Sequence, residues 1–168
     1  MTVPVLGVAG WKNSGKTTLV ERLVSELTRR GLRVATIKHA HHDAEVDREG
    51  TDSFRHREAG AVEVALVTGA RWAIVHELRG EAEPLLGHIL QRLSPCDLVL
   101  VEGYKRENIP KIEVRRRAAA RDEPMAPGDN NVIAIAADHP IAATSLPIFG
   151  IDDIPQIADF IVSRLLAR

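Results

Sequence analysis

The chain has 168 residues, a net charge of −1, 45% apolar and 27% charged residues, which suits one well-packed domain over residues 1–168. The near-neutral charge speaks against broad electrostatic binding to nucleic acid or membranes, and no apolar run approaches the ~20 residues of a membrane span. The lone cysteine, Cys96, allows no internal disulfide; with no N-terminal signal pattern, the cytoplasm is the expected compartment.

The first element is an apolar, β-branched run, Val3–Ala9, that reads as a buried strand. It leads straight into Gly10-Trp11-Lys12-Asn13-Ser14-Gly15-Lys16-Thr17, a full match to G-x-x-x-x-G-K-[ST]. A helix pattern follows, with Leu19, Val20, Leu23, Val24 and Leu27 on one face and Gly31 as its stop. Strand, glycine loop and helix in that order make the string a phosphate-binding loop. Gly10 and Gly15 let the backbone approach an anion closely. Its N–H groups and the helix N-terminus supply the field. Lys16 is expected to reach the β- and γ-phosphates, and Thr17 to offer its hydroxyl to Mg²⁺.

Leu32–Ile37 reads as a second strand, followed by a polar loop from Lys38 to Gly50 that contains Lys38-His39-Ala40-His41-His42-Asp43 and ends near Asp47. Three readings of this loop stand open: a transition-metal site on the histidines, a switch-like segment, or a solvated polar loop. In the second, Asp43 or Asp47 helps hold Mg²⁺ and Lys38 meets phosphate charge. Thr51 or Asp52 is placed to cap a short helix ending near Gly60. Val62–Val67 and Trp72–Val75 read as strands joined by a Gly69 turn. Trp72, Ile74 and Val75 are assigned to the core, and to a dimer surface only if they face outward.

Pro84–Leu93 carries a helical pattern. Leu98–Val101 is a fully apolar strand that ends at Glu102, in the manner of a Walker B acid. Ligands of open α/β sheets collect at that edge, so Glu102 is expected beside Thr17 as a magnesium-side carboxylate. The alternative is a glutamate that ends its strand in a salt bridge. Lys111–Val114 reads as a short edge strand, and Val132–Ala136 as another buried run. Pro147–Phe149 reads as a last short strand. Ile154 to Leu166 is a clear amphipathic helix. Between them, residues 115–131 form a surface loop or a lid, rich in arginine. Asp138 follows the Val132–Ala136 strand. It is a candidate to accept hydrogen bonds from a guanine base, or a capping residue before Pro140. The usual Asn-Lys-x-Asp string is absent. The alternation of apolar strands and helices predicts an α/β, three-layer P-loop NTPase with a mostly parallel sheet and helices on both faces.

Four strings taken together resemble the MobB family of molybdopterin-guanine dinucleotide biosynthesis adaptors. They are Gly10 to Thr18, Ile37-Lys-His-Ala-His-His-Asp43, Asp52-Ser-Phe-Arg-His-Arg-Glu-Ala-Gly-Ala61 and Leu98-Val-Leu-Val-Glu-Gly-Tyr-Lys105. The resemblance spans nearly the whole chain but says little about residues 118–130. It implies a GTP-binding protein with Mg²⁺ and weak GTPase activity. It also implies a homodimer that assists the guanylyltransferase MobA in molybdenum cofactor maturation, and leaves open whether the molybdopterin cofactor itself binds. The phosphate site carried over is Gly10, Trp11, Lys12, Asn13, Ser14, Gly15, Lys16, Thr17 and Thr18, with Glu102 and Asp47 on the magnesium side.

Two other classes compete. A small-molecule kinase using ATP would draw on Arg115, Arg116, Arg117 and Arg121 as a lid. A metallochaperone GTPase would draw on His39, His41 and His42. Slow turnover without a partner is expected, because no arginine finger or catalytic glutamine is recognisable.

Overall fold

The computed structural model describes residues 3–40, 47–121, 123–142 and 144–167. The chain divides into two compact units, residues 40–92 and the rest. The larger unit is built on six parallel strands: β1 (Val5–Ala9), β2 (Val34–Lys38), β5 (Leu98–Glu102), β6 (Lys111–Arg115), β7 (Val132–Ala137) and β8 (Ile148–Gly150). Their order across the sheet is β2-β5-β1-β6-β7-β8. The class is the expected one, an α/β sheet of P-loop NTPase type. β1 lies at the centre, with β5 on one side and β6 on the other.

Strand composition explains the sheet. β5 reads Leu-Val-Leu-Val before its acid, and all four apolar residues are buried. Such continuous runs belong to parallel strands covered on both faces. Helix α1 (Lys16–Arg29) buries Leu19, Val20, Leu23 and Leu27. Helix α4 (Ile154–Ile161) buries Ile154, Ile157, Ala158 and Ile161. Both pack with alternate residues of the strands, Leu6, Val8, Leu98, Leu100, Ile112, Val114, Ala134 and Ala136, in one core. The C-terminal periodicity continues past α4 as a wider π-type turn, Val162–Leu166.

One expectation is corrected. Residues 111–114 were expected to form a short edge strand. β6 is instead an interior strand, and Lys111 and Glu113 are both fully buried. Each has found partners. The Lys111 ammonium donates to the Glu107 carbonyl at 2.6 Å and pairs with Asp129 at 2.9 Å. The Glu113 carboxylate accepts the amides of Met125 and Ala126 and the Arg115 guanidinium. The loops flanking β6 therefore cover this face of the sheet, and the buried charges fasten them.

The smaller unit contains α2 (Asp52–Glu58), an antiparallel hairpin of β3 (Glu63–Val67) and β4 (Trp72–His76), and α3 (Leu86–Arg92). Thr51 caps α2, its hydroxyl accepting the Phe54 amide. The hairpin corrects a second expectation. Trp72 and Ile74 are exposed rather than in the core, with Leu66 and Val67. Helix α3 starts later than its pattern suggested, because Leu85 serves as the acceptor before it and stays exposed. No helix among the described residues is long and apolar enough to cross a membrane.

Two stability predictions follow from the charges. Replacing Asp129 with Asn leaves a buried ammonium without its counter-charge, so Asp129→Asn should cost about 3 kcal/mol in chemical denaturation. Adding Lys111→Met should recover part of that loss. Hydrogen bonds from Arg29 and Arg30 hold the Glu26 carboxyl down at about 2, against an ordinary 4.5. Its stabilising effect is complete above the ordinary value and is lost as pH falls through about 2. Glu26→Gln should therefore flatten the acid limb of a stability–pH profile and leave its neutral region nearly level.

Candidate functional site

The site is built where β1 ends and α1 begins. Helix α1 has no side-chain cap; Gly15 stands at its N-cap with φ of 88°. The first-turn amides are thus left open, which suits an anion and not a capping side chain. Gly10 has no room for a Cβ: one would lie 2.5 Å from Ser14 Oγ and 2.6 Å from the Val114 carbonyl. The loop closes between them with Asn13 in the left-handed region at φ 64°. Ser14 is buried, and its hydroxyl has no hydrogen-bond partner among the described residues.

Lys16 and Thr17 turn to the loop's mouth. The Lys16 ammonium donates to the Trp11 carbonyl at 2.8 Å, and the Thr17 hydroxyl donates to Glu102 at 2.8 Å. Glu102 reaches that position through register, since it lies beside Val8 on β1 and Lys38 on β2. The Lys38 ammonium is 3.7 Å from the same carboxylate oxygen. Burial pushes Lys16 below the usual lysine range, and the charges of Lys105 and Lys38 push the same way against the pull of Glu102. Beyond Glu102 the chain turns at Gly103, where a Cβ would meet the backbone of His39 at 3.0 Å. The His39 amide donates to the Glu102 carbonyl, and its ring stacks on Tyr104 at 4.5 Å.

The remaining expected residues are placed as follows. Lys12 accepts the Ala120 amide on its carbonyl at 3.0 Å. Trp11 donates from its indole to the Glu123 carbonyl at 2.6 Å. Both contacts tie the arginine-rich loop to the phosphate loop. Thr18 sits exposed in the first turn of α1. Asp138 stands just past β7, its Oδ1 accepting the Arg117 amide at 3.0 Å and facing His139 Nδ1 at 2.8 Å. The His139 contact, followed by that amide, keeps its carboxyl below the usual range. Its Oδ2 lies 3.8 Å from Arg116, whose guanidinium also rests near Gly15. Beyond β7 and β8 a cavity of about 460 Å³ opens, lined by Asp138, His139, Phe149 and Asp152 among others. Asp152 is held by Arg22 of α1.

Asp47 belongs to the smaller unit. Its carboxylate accepts the hydroxyls of Thr51 and Ser53 and faces Arg57, so it organises the start of α2. His41, His42 and Asp43 lie outside the described residues, and no metal-binding group of three or more His, Cys, Asp or Glu side chains occurs among those described. Lys105 was missed by the sequence reading. Its ammonium lies 4.3 Å from the Trp11 ring, and Arg121 lies 5.2 Å from the same ring. The available signal was a basic residue three positions past the acid that ends β5.

Comparison with known proteins places this geometry. The family model MobB, molybdopterin guanine dinucleotide synthesis protein B, matches residues 5–138. The molybdopterin-guanine dinucleotide biosynthesis adapter protein of Haemophilus influenzae is 44% identical over 97% of this chain and 90% of its own length. That of Escherichia coli is 40% identical over 95% of this chain and 92% of its own. The crystal structure of Bacillus subtilis MobB superposes with a TM-score of 0.75 at 30% identity, covering 96% of this chain and 98% of that one. A MobB homolog from Bacillus stearothermophilus gives 0.71 at 30% identity, over 95% and 99%. The chain belongs to the MobB family.

The tightness at Gly10 yields a direct check. Gly10→Ala forces the loop away from the Val114 carbonyl. The variant should fold with a melting point several degrees lower and lose about tenfold or more in phosphate-ligand affinity by calorimetry.

Proposed function

We propose that this MobB-family chain binds GTP with Mg²⁺ on the loop Gly10–Thr18 and acts as an adapter in molybdopterin-guanine dinucleotide biosynthesis. The observation that carries the nucleotide reading is the Thr17–Glu102 contact at 2.8 Å. A hydroxyl and one carboxylate at the loop's mouth are the protein donors that Mg²⁺ takes beside phosphates and waters. The helix N-cap without a side-chain acceptor, the Ser14 hydroxyl with no partner among the described residues and the cradle at Gly10 fit a phosphate in the loop. Mg²⁺ held by Thr17 and Glu102 would neutralise charge on the β- and γ-phosphates. The chain's own part is binding and orientation. Loop amides receive the phosphate oxygens, and Lys16 exchanges the Trp11 carbonyl for a stronger anionic acceptor.

Asp138 supports a guanine preference. Its Oδ1 is fixed by a backbone amide, and the cavity beyond β7 and β8 has room for a base. The names of the relatives support the adapter role, and in this reading the partner that performs the transfer is a MobA-type guanylyltransferase. Hydrolysis by the chain alone is slow, because stabilising groups such as an arginine finger come from a partner. The exposed apolar residues Val67, Trp72 and Ile74 of the hairpin support a homodimer.

Equilibrium binding of GTP and ATP, each with Mg²⁺, tests this reading. GTP should bind at least about tenfold tighter than ATP. ATP preference would instead favour a small-molecule kinase. Lys16→Ala should abolish measurable binding of either nucleotide without unfolding the chain. Asp138→Asn keeps an acceptor for the Arg117 amide but reverses the pairing to guanine. It should shift preference from GTP toward XTP by about tenfold; an unchanged ratio would remove Asp138 from the base site.

A further inference from the structure

Beside the phosphate loop stands a cation pair that the nucleotide reading does not use. Lys105 and Arg121 come from two different loops and meet on the indole of Trp11, at 4.3 and 5.2 Å from its ring. Among the described residues no carboxylate forms an ion pair with either. Lys16 and Lys38, by contrast, share Glu102. Lys105 is close enough to Lys16 to add to the repulsion on it, and Arg121 to add to that on Lys105, so positive charge extends from the loop's mouth onto the Trp11 ring. The arrangement is fixed. The Trp11 indole is anchored on the Glu123 carbonyl, and the Ala120 amide on Lys12. Burial and the neighbouring Arg121 both work against the charge on Lys105.

One cation on a tryptophan face is sufficient to fasten a loop. A second beside it adds repulsion, which a bound anion relieves. The ring holds both heads in place beforehand, so an incoming anion does not have to order two long side chains.

We propose that Lys105 and Arg121, held against Trp11, form a second anion site that takes the phosphate of a small phosphomonoester while the loop itself is filled by nucleotide. The inference rests on the reading of residues 10–18 as the nucleotide's phosphate loop. It assigns the chain two phosphate-bearing ligands side by side. The second one is held by a bidentate guanidinium and a point charge, which suits a dianionic terminal phosphate better than a diester.

The test uses the full chain with Trp72→Phe, so that Trp11 is its only tryptophan, saturated with Mg²⁺ and a non-hydrolysable GTP analogue. Inorganic phosphate is then titrated by calorimetry, with Trp11 emission as the second readout. Saturable phosphate binding is expected. It should weaken about tenfold or more in the Lys105→Ala, Arg121→Ala double variant, while affinity for the GTP analogue stays within about threefold. The proposal is overturned if the loaded protein binds no phosphate, or if the double variant binds it equally well. It is also overturned if the double variant loses affinity for the GTP analogue in the same proportion, since the cations then serve the nucleotide. Lys16→Ala separates the two readings. With the loop disabled, that variant should still bind phosphate through Lys105 and Arg121. If it does while the unmodified chain binds no nucleotide, only the nucleotide reading fails.

Discussion

The parallel pairing of β1 with β5 is the constraint from which the rest of the site is built. β1 delivers the phosphate loop, and β5 delivers Glu102. Their register sets Val8 opposite Glu102, so that the acid and the first turn of α1 meet at one edge of the sheet. The Thr17–Glu102 hydrogen bond is the outcome of that register. A slip of one residue would turn Glu102 toward the other face of the sheet and bring an apolar neighbour in its place. Neither strand can drift, because every apolar residue of β5 is buried on both sides. The apolar core therefore fixes the polar site.

On the other flank of β1, strand β6 does a different task. A strand inside a parallel sheet is normally apolar, yet β6 buries a lysine and a glutamate. Burial of charge is costly unless each group is paired and hydrogen-bonded. Here the compensation comes from the flanking loops. Lys111 reaches the Glu107 carbonyl and Asp129, and Glu113 reaches the amides of Met125 and Ala126. Those same loops carry Lys105 on one side and Arg121 on the other. The buried charges of β6 thus hold the segments that bring cations to the mouth of the phosphate loop.

How much of this could be read from the residues depends on the range of the interaction. The loop, α1 and β5 were legible because a local string or an unbroken apolar run specifies each. Thr17 and Glu102 could be paired in advance, because the parallel sheet rule brings strand ends to one edge. The position of β6 was misread. Alternating charged and apolar residues look the same on a solvated edge and on a buried strand whose polar face is covered by loops. Only the partners distinguish them, and Asp129 and Met125 lie 18 and 12 residues away. Trp72 and Ile74 were misplaced for the opposite reason. Their apolar character says that they prefer burial and does not say against what. Lys105 went unnoticed because its partner, Trp11, is joined to it only by the fold.

The electrostatics give the site a direction. Lys16 is satisfied by a neutral carbonyl of its own loop, and it is pushed below its ordinary range by burial and by two neighbouring lysines. Such a group gains when a carbonyl is exchanged for an oxyanion, since full Coulomb attraction between opposite charges is added to a hydrogen bond whose donor is already ionised. The carbonyl it would leave belongs to Trp11, whose ring bears Lys105 and Arg121 and whose indole is tied to Glu123. Filling the loop and organising the cations beside it therefore act on one residue. Trp11 occupies a position where the loop pattern requires no particular side chain. Its ring gives this loop what a small side chain there could not, a surface on which the positive charges of Lys105 and Arg121 are held beside the loop.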